Sequence, residues 1–370
     1  MMSWLLLLPA ALLGFVLAEL GIRLWIAMRG RYYPWFPHWR QELELDREVF
    51  PRLDPLVRFY INGDGERGGK VPAPGKDLYR VLAVGGSAVE SFSIDQEASW
   101  PMRVQRILEK PENLESLHVK RVHVGNIGKS GVDAEALALM LSKMRRHLPH
   151  LDLIIVMVGA SNVLNWLANK KMDKRTIVAE FFKLQPEESF GWKTSSLALT
   201  RVYRSTRARF EVLRRQNVGK STANARQMRA NATEILDSTE DPSRMLAEFD
   251  EYFLKVVEIA RASADRVIVV PQPWFQKSSL LPEEVAQFWN GGNGDVFRGE
   301  VTRFYSHEVI CELMRRIEES AIRISNSQQV ELVEVREKIP PSVETYYDQF
   351  HFTKLGCELC AQIVVAQVLH

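Results

Sequence analysis

From Tyr79 onward, short apolar runs alternate with longer helical stretches. The apolar runs fall at about residues 79–84, 121–125, 152–158, 266–271 and 330–335 and read as strands. Between them, 98–110, 132–147, 244–264 and 300–324 read as helices. Alternating β and α elements imply a mostly parallel five-stranded sheet covered on both faces, a three-layer α/β/α sandwich. On such sheets ligands bind beyond the carboxyl ends of the strands.

The first residues follow another pattern. Met1 to Ala18 carries no charged side chain, and Trp4 to Met28 holds only Glu19 and Arg23. Those two are four apart and can pair on one helix face. The apolar length is close to the roughly 20 residues that span a bilayer, and Pro9 is tolerable in a membrane helix. A signal peptide cleaved after Val16-Leu17-Ala18 is the competing reading. Such a signal wants Lys or Arg before its apolar run, and none stands there. A retained anchor over residues 1–28 is therefore expected. Arg23, Arg29, Arg31 and Arg40 lie at or beyond the end of the run, which by the positive-inside tendency keeps the following domain cytoplasmic.

Residues 29–77 read as a connecting region. Tyr32, Tyr33, Trp35, Phe36 and Trp39 suit a membrane interface, or else cover one edge of the domain; the later part is rich in Gly and Pro. The main domain is expected over 78–370, with a long insertion at about 165–243. That insertion holds Arg201, Arg204, Arg207, Arg209, Arg214, Arg215, Lys220, Arg226 and Arg229, interleaved with Phe210, Val212 and Leu213. It reads as a helical lid with a solvated arginine-rich face, or as a contact for anionic lipid headgroups or an acidic polysaccharide. Pro271-Gln272-Pro273-Trp274-Phe275 and Phe288-Trp289-Asn290-Gly291-Gly292 read either as a pocket wall or as packing under the lid.

Length and composition change little. The 370 residues can hold one large α/β domain with insertions, or two domains. A net charge of +2 gives no reason to expect a nucleic-acid partner. Cys311, Cys357 and Cys360 make no disulfide framework. Cys357 and Cys360 lack a second Cys/His pair for zinc, so buried thiols are expected.

The chemistry-bearing residues lie at the two ends of the alternating region. Tyr347-Asp348-Gln349-Phe350-His351-Phe352-Thr353 puts an Asp and a His three apart just before the last helix. The pair can act as the base half of a Ser-His-Asp unit, or it can be a surface pair with Thr353 as the helix N-cap. Far upstream, Val81-Leu82-Ala83-Val84-Gly85-Gly86-Ser87 ends a strand in two glycines and a serine. That setting exposes a nucleophilic hydroxyl, or forms only a turn. Asn126-Ile127-Gly128-Lys129-Ser130-Gly131 and Gly159-Ala160-Ser161-Asn162 each follow a further strand. Of the eight histidines only His351 has this context; the others read as structural.

These four blocks, in this order, resemble the SGNH (GDSL-type) hydrolases over roughly residues 78–370. The resemblance implies a flavodoxin-like SGNH hydrolase fold behind the N-terminal transmembrane helix. It makes Ser87 the nucleophile and His351 the base oriented by Asp348. Ser87 and Gly131 become oxyanion donors through their N–H groups. The first block reads Gly-Gly-Ser where the family has Gly-Asp-Ser. In the third, the family's Gly-x-Asn-Asp pattern places Ser161 at the Asn position, and a one-residue shift brings in Asn162. Asn162 is the expected donor and Ser161 the alternative. The implied activity is hydrolysis of a small-molecule, lipid or carbohydrate ester through an acyl-Ser87 intermediate, with no cofactor or metal. O-acetyl transfer or deacetylation on a cell-surface carbohydrate is one alternative; a membrane-tethered binding or scaffold protein of weak activity is another. The resemblance also implies an extracytoplasmic domain, against the charge tendency above.

Overall fold

A computed structural model describes residues 3–29, 32–145, 148–169, 191–200, 202–203 and 215–370. In chain order the strands are β1 (Arg40–Leu45), β2 (Leu56–Tyr60), β3 (Leu78–Gly85), β4 (Arg121–Asn126) and β5 (Leu151–Met157). There follow β6 (Arg215–Val218), β7 (Glu234–Leu236), β8 (Ala264–Val269), β9 (Arg303–Tyr305) and β10 (Glu331–Leu332). Five of them build one all-parallel sheet in the order β4-β3-β5-β8-β10. Numbered among themselves these strands run 2-1-3-4-5, the flavodoxin-like winding, whose switch point lies between the first and third. Here that is β3 and β5.

The sheet is buried on both faces. Leu82, Val84, Ile154, Val156, Val267 and Val269 pack toward helices Ala134–Met144, Ala160–Leu167, Ser243–Arg261 and His307–Ser327. Val81, Ala83, Leu153, Ile155, Met157 and Ile268 pack the other way, toward helices Trp100–Leu108 and Lys354–Val368. Burial on both sides is why these strands are apolar throughout rather than alternating. The three-layer α/β/α sandwich is therefore the observed architecture. Two boundaries differ from expectation. The helix expected from residue 300 starts at His307, because Arg303–Tyr305 pairs with β7 and Ser306 caps the helix by accepting from Val309 N–H. The last strand is only two residues long, since the chain turns into a 3-10 helix at Arg336–Lys338.

The region read as a connector is a small sheet. β1 pairs antiparallel with β2 and parallel with β6, from the insertion. Alternation buries Leu43 and Leu45 in β1 and Val57 and Phe59 in β2. Trp35 is buried against Phe59 and donates its indole N–H to the Gly128 carbonyl at 3.1 Å, so this aromatic group covers an edge of the domain.

Within the insertion, Lys220–Ala230 is helical, and two of its arginines are not on a solvated face. Arg226 donates to the carbonyls of Val49, Gln287 and Tyr347, and Arg229 to those of Asn290 and Tyr305. They tie the helix to the loops around the site. Arg201, Arg204, Arg207, Arg209 and Arg214, with Phe210, Val212 and Leu213, lie outside the described residues.

The N-terminal helix spans Ser3–Arg29, and its Leu8–Ile26 stretch is long and apolar enough to cross a membrane. Arg23 pairs with Glu19 at 2.7 Å, as the spacing implies. Glu19 also accepts from the N–H groups of Ala198 (2.7 Å) and Leu199 (3.0 Å), which buries it on a helix that otherwise exposes Leu8, Leu12, Leu13, Leu17 and Leu24. Cys357 and Cys360 are buried free thiols on the last helix, and Cys311 is a half-buried free thiol.

Candidate active site

β3 ends at Gly85, where a Cβ would stand 1.8 Å from the Met157 carbonyl oxygen. Only glycine lets the chain pass β5 so closely. Ser87 then opens a short helix, Ser87–Glu90, with its hydroxyl at the carboxyl edge of the sheet and at the switch point. The loop after β4 brings in Gly131, whose φ of +77° is a left-handed conformation that favours glycine. Nothing lies within 4 Å of where its Cβ would be, so its backbone is open to an incoming ligand.

Before the last helix, the loop returns to this edge. Thr353 caps that helix by accepting from Gly356 N–H, as the local reading expected, yet His351 and Asp348 do not form a surface pair. His351 Nε2 lies 2.7 Å from Ser87 Oγ. Its Nδ1 lies 2.7 Å from Asp348 Oδ2. Asp348 is buried and also accepts from the N–H groups of Phe350 (2.8 Å) and His351 (3.0 Å), and from Trp289 Nε1 (2.9 Å). Tyr347 and Trp289 stack on the imidazole, with centroids at 5.5 and 6.5 Å.

These contacts set the charges. Burial alone would raise the Asp348 carboxyl pKa, but the facing His351 charge and the hydrogen bonds from His351 and Phe350 outweigh it and hold the pKa low. For His351, burial disfavours the imidazolium; Asp348's charge and hydrogen bond, with a contribution from Glu90, win and raise the pKa. A neutral imidazole with Nδ1–H toward Asp348 leaves Nε2 free to accept the serine proton.

Ser87 and His351 open onto a cavity of about 370 Å³. Gly131, Ser161 and Asn165 share its polar side, and Phe92, Leu164, Val218, Trp289, Val296 and Phe297 form an apolar wall. Ser161 is thus in the cavity wall, and its Oγ lies 3.6 Å from where a Gly86 Cβ would be. Asn162 is not in that wall among the described residues. Its side-chain oxygen accepts from Ala134 N–H at 3.1 Å, at the start of helix Ala134–Met144. Of the two registers, the structure puts Ser161 at the cavity and Asn162 behind it. Residues 288–292 divide by role: Trp289, Asn290, Gly291 and Gly292 line the cavity, while Phe288, like Trp274 and Phe275, is core.

Asn165 was not singled out by the sequence. It follows Ser161 by one helical turn, and its amide approaches the Gly131 carbonyl and Asp133 at 3.5 and 3.4 Å. The i, i+4 spacing from Ser161 was the available signal. Two other histidines make structural contacts: His123 meets buried Glu66 at 3.1 Å, and His307 meets Cys311 at 3.3 Å.

No protein-family model and no curated protein sequence matches the chain. Among solved structures, it is similar to a member of the lipolytic G-D-S-L family from Veillonella parvula (8% identity, 78% of this chain and 97% of that chain, TM-score 0.39). It is also similar to an acetylxylan esterase from Geobacillus stearothermophilus (12% identity, 78% and 94%, TM-score 0.41). A lipase/acylhydrolase from Enterococcus faecalis gives 11% identity, 79% and 95% coverage and a TM-score of 0.41. At these values the chemistry of the site stands on its own geometry.

Proposed function

We propose that the chain is a serine ester hydrolase of the SGNH type, held at a membrane by helix Ser3–Arg29. The observation that carries this reading is the continuous line from Ser87 Oγ to His351 Nε2 at 2.7 Å and from His351 Nδ1 to buried Asp348 at 2.7 Å. This line favours catalysis over a binding or scaffold role.

In the proposed mechanism Ser87 Oγ attacks the ester carbonyl carbon as His351 Nε2 takes its proton. Asp348 keeps the imidazole in the right tautomer and stabilises the imidazolium. The oxygen of the tetrahedral intermediate is met by the N–H groups of Ser87 and Gly131 and by the Ser161 hydroxyl. His351 gives the proton to the leaving alcohol, and an acyl-Ser87 ester remains. Water then attacks that ester with His351 again as base, which releases the acid and restores the serine. Ser161 thus replaces Asn162 as the side-chain donor.

The apolar cavity wall of Phe92, Leu164, Trp289 and Phe297 suits an apolar acyl or alcohol part. It puts ester hydrolysis ahead of acyl transfer to a carbohydrate hydroxyl. Residues 32–77 are assigned to the catalytic domain, because Leu43 and Leu45 of β1 and Val57 of β2 pack into the same core as the large sheet. The test is turnover of purified full-length protein on aryl esters from acetyl to octanoyl. Wild type should hydrolyse at least one, and Ser87→Ala should lose at least about 10³-fold in kcat. Equal turnover by the two proteins would refute the nucleophile.

A further inference from the structure

One buried carboxylate beside the site forms no bond in that mechanism, although its charge adds to the raising of the His351 pKa. Glu90 closes the short helix that Ser87 opens, and it is only 3% exposed. Its carboxylate reaches across to the loop after β4, where it accepts from the Ser130 hydroxyl and the Ser130 backbone N–H. Burial pushes the Glu90 carboxyl pKa up, and those two hydrogen bonds, with the charges of Arg67 and Lys129, offset this only in part.

The backbone beneath Glu90 is fixed from two sides. Arg67, fully buried, donates to the carbonyls of Glu90 (2.5 Å), Ser91 (2.7 Å) and Ile94 (2.6 Å) and to Gln96 Oε1 (3.1 Å). Its own N–H and carbonyl pair with Asn126, whose side-chain amide donates to the Val89 carbonyl at 2.7 Å. A cation at a helix C-terminus satisfies carbonyls left without intrahelical partners. Glu90 therefore projects from a rigid base. The residue after Ser130 is Gly131, left-handed and facing open space, the residue type with the most freedom to swing. Holding Ser130 at both its hydroxyl and its N–H restrains the loop from which the Gly131 peptide departs.

We propose that Glu90 is a positioning residue that acts through Ser130 to aim the Gly131 N–H at the oxygen of the tetrahedral intermediate. This rests on the hydrolase reading above. A donor misplaced by an ångström can cost about 10²-fold in rate, so a group that never touches substrate can still govern kcat.

The test uses full-length Glu90→Ala, Glu90→Gln, Ser130→Ala and the Glu90→Ala/Ser130→Ala pair. The readouts are kcat, KM, the rate of Ser87 labelling by a fluorophosphonate, and backbone amide exchange at Ser130 and Gly131. Glu90→Ala should lower kcat and labelling together by about 10–10²-fold, with KM within about twofold of wild type. Glu90→Gln keeps an acceptor oxygen for Ser130 and should recover most of that loss. The double variant should be no slower than Glu90→Ala alone, because both changes cut one link. Amide exchange at Ser130 and Gly131 should speed up in Glu90→Ala. If Glu90→Ala does not fold, the same ranking is read from Ser130→Ala and Glu90→Gln. Wild-type labelling with unchanged kcat in Glu90→Ala, or additive losses in the pair, overturns the proposal. If wild-type Ser87 does not label at all, the hydrolase reading fails, and with it the role in catalysis; faster exchange would then mark Glu90 as a loop tether only.

Discussion

His351 Nε2 stands 2.7 Å from Ser87 Oγ although 264 residues separate them in the chain. The winding of the sheet closes that gap. β3 is the first strand of the large sheet but sits inside it, between β4 and β5. The last helix packs on the same face as Trp100–Leu108, so the loop at its start returns to the carboxyl end of β3. One hydrogen bond thus joins the two ends of the domain.

The electrostatics of that bond set a pH dependence. A general base must be neutral, so kcat/KM should rise with pH through the His351 pKa and level off above it. Burial would lower that pKa, but Asp348 outweighs it and raises it. The acid limb should therefore lie above the ordinary histidine value of about 6.5. Asp348→Asn removes the raising charge, so its limb should move down in pH while the plateau falls. A pH-rate profile of both proteins checks this, and a limb that stays in place in Asp348→Asn would contradict it.

Adjacent residues after β5 should behave oppositely. Ser161→Ala should lower kcat by about 10–10²-fold with little change in KM, since a hydroxyl aimed at the oxyanion acts on the transition state. Asn162→Ala should leave kcat within about threefold and cost about 1 kcal/mol of stability, through the lost bond to Ala134 N–H. Kinetics and thermal unfolding of the two variants separate them. The reverse ranking would restore Asn162 to the oxyanion hole.

Trp289 both walls the cavity and donates to Asp348 at 2.9 Å. Trp289→Phe keeps a ring and removes the donor. A lost hydrogen bond to a charged group is worth about 1.5–3 kcal/mol, so kcat/KM should fall by roughly 10–100-fold on short and long acyl esters alike. A loss confined to long acyl chains would assign Trp289 to the pocket wall alone.

Where each residue's signal was local, the sequence was informative. The central strands β3, β5 and β8 were visible because burial on both faces makes them apolar runs. Ser87, Gly131, Asp348 and His351 were visible because each stands in a loop of recognisable pattern beside a strand or helix end. β1 and β2 were missed because five- and six-residue alternations amid Gly- and Pro-rich sequence resemble a linker. Arg67, Glu90 and Asn165 were missed because their partners lie 23 to 40 residues away, at distances only the folded chain sets. Which of Ser161 and Asn162 faces the cavity depends on the turn of the helix that starts at Ala160.

At the membrane, full-length protein should remain in the bilayer fraction through a sodium carbonate wash, because Leu8–Ile26 matches a membrane span. Glu19→Ala should not change that, since apolar length does the anchoring. It should instead speed amide exchange at Ala198 and Leu199, which lose their acceptor. Recovery of the full-length wild type in the wash would remove the anchor.

In the proposed mechanism the reactivity of Ser87 depends on His351. The most direct test of that dependence is peptide mapping of a fluorophosphonate adduct on wild type and His351→Ala. Wild type should carry the adduct on Ser87 alone, and His351→Ala should label at least about 10³-fold more slowly. An adduct on another residue, or equal labelling of Ser87 in both proteins, would contradict it.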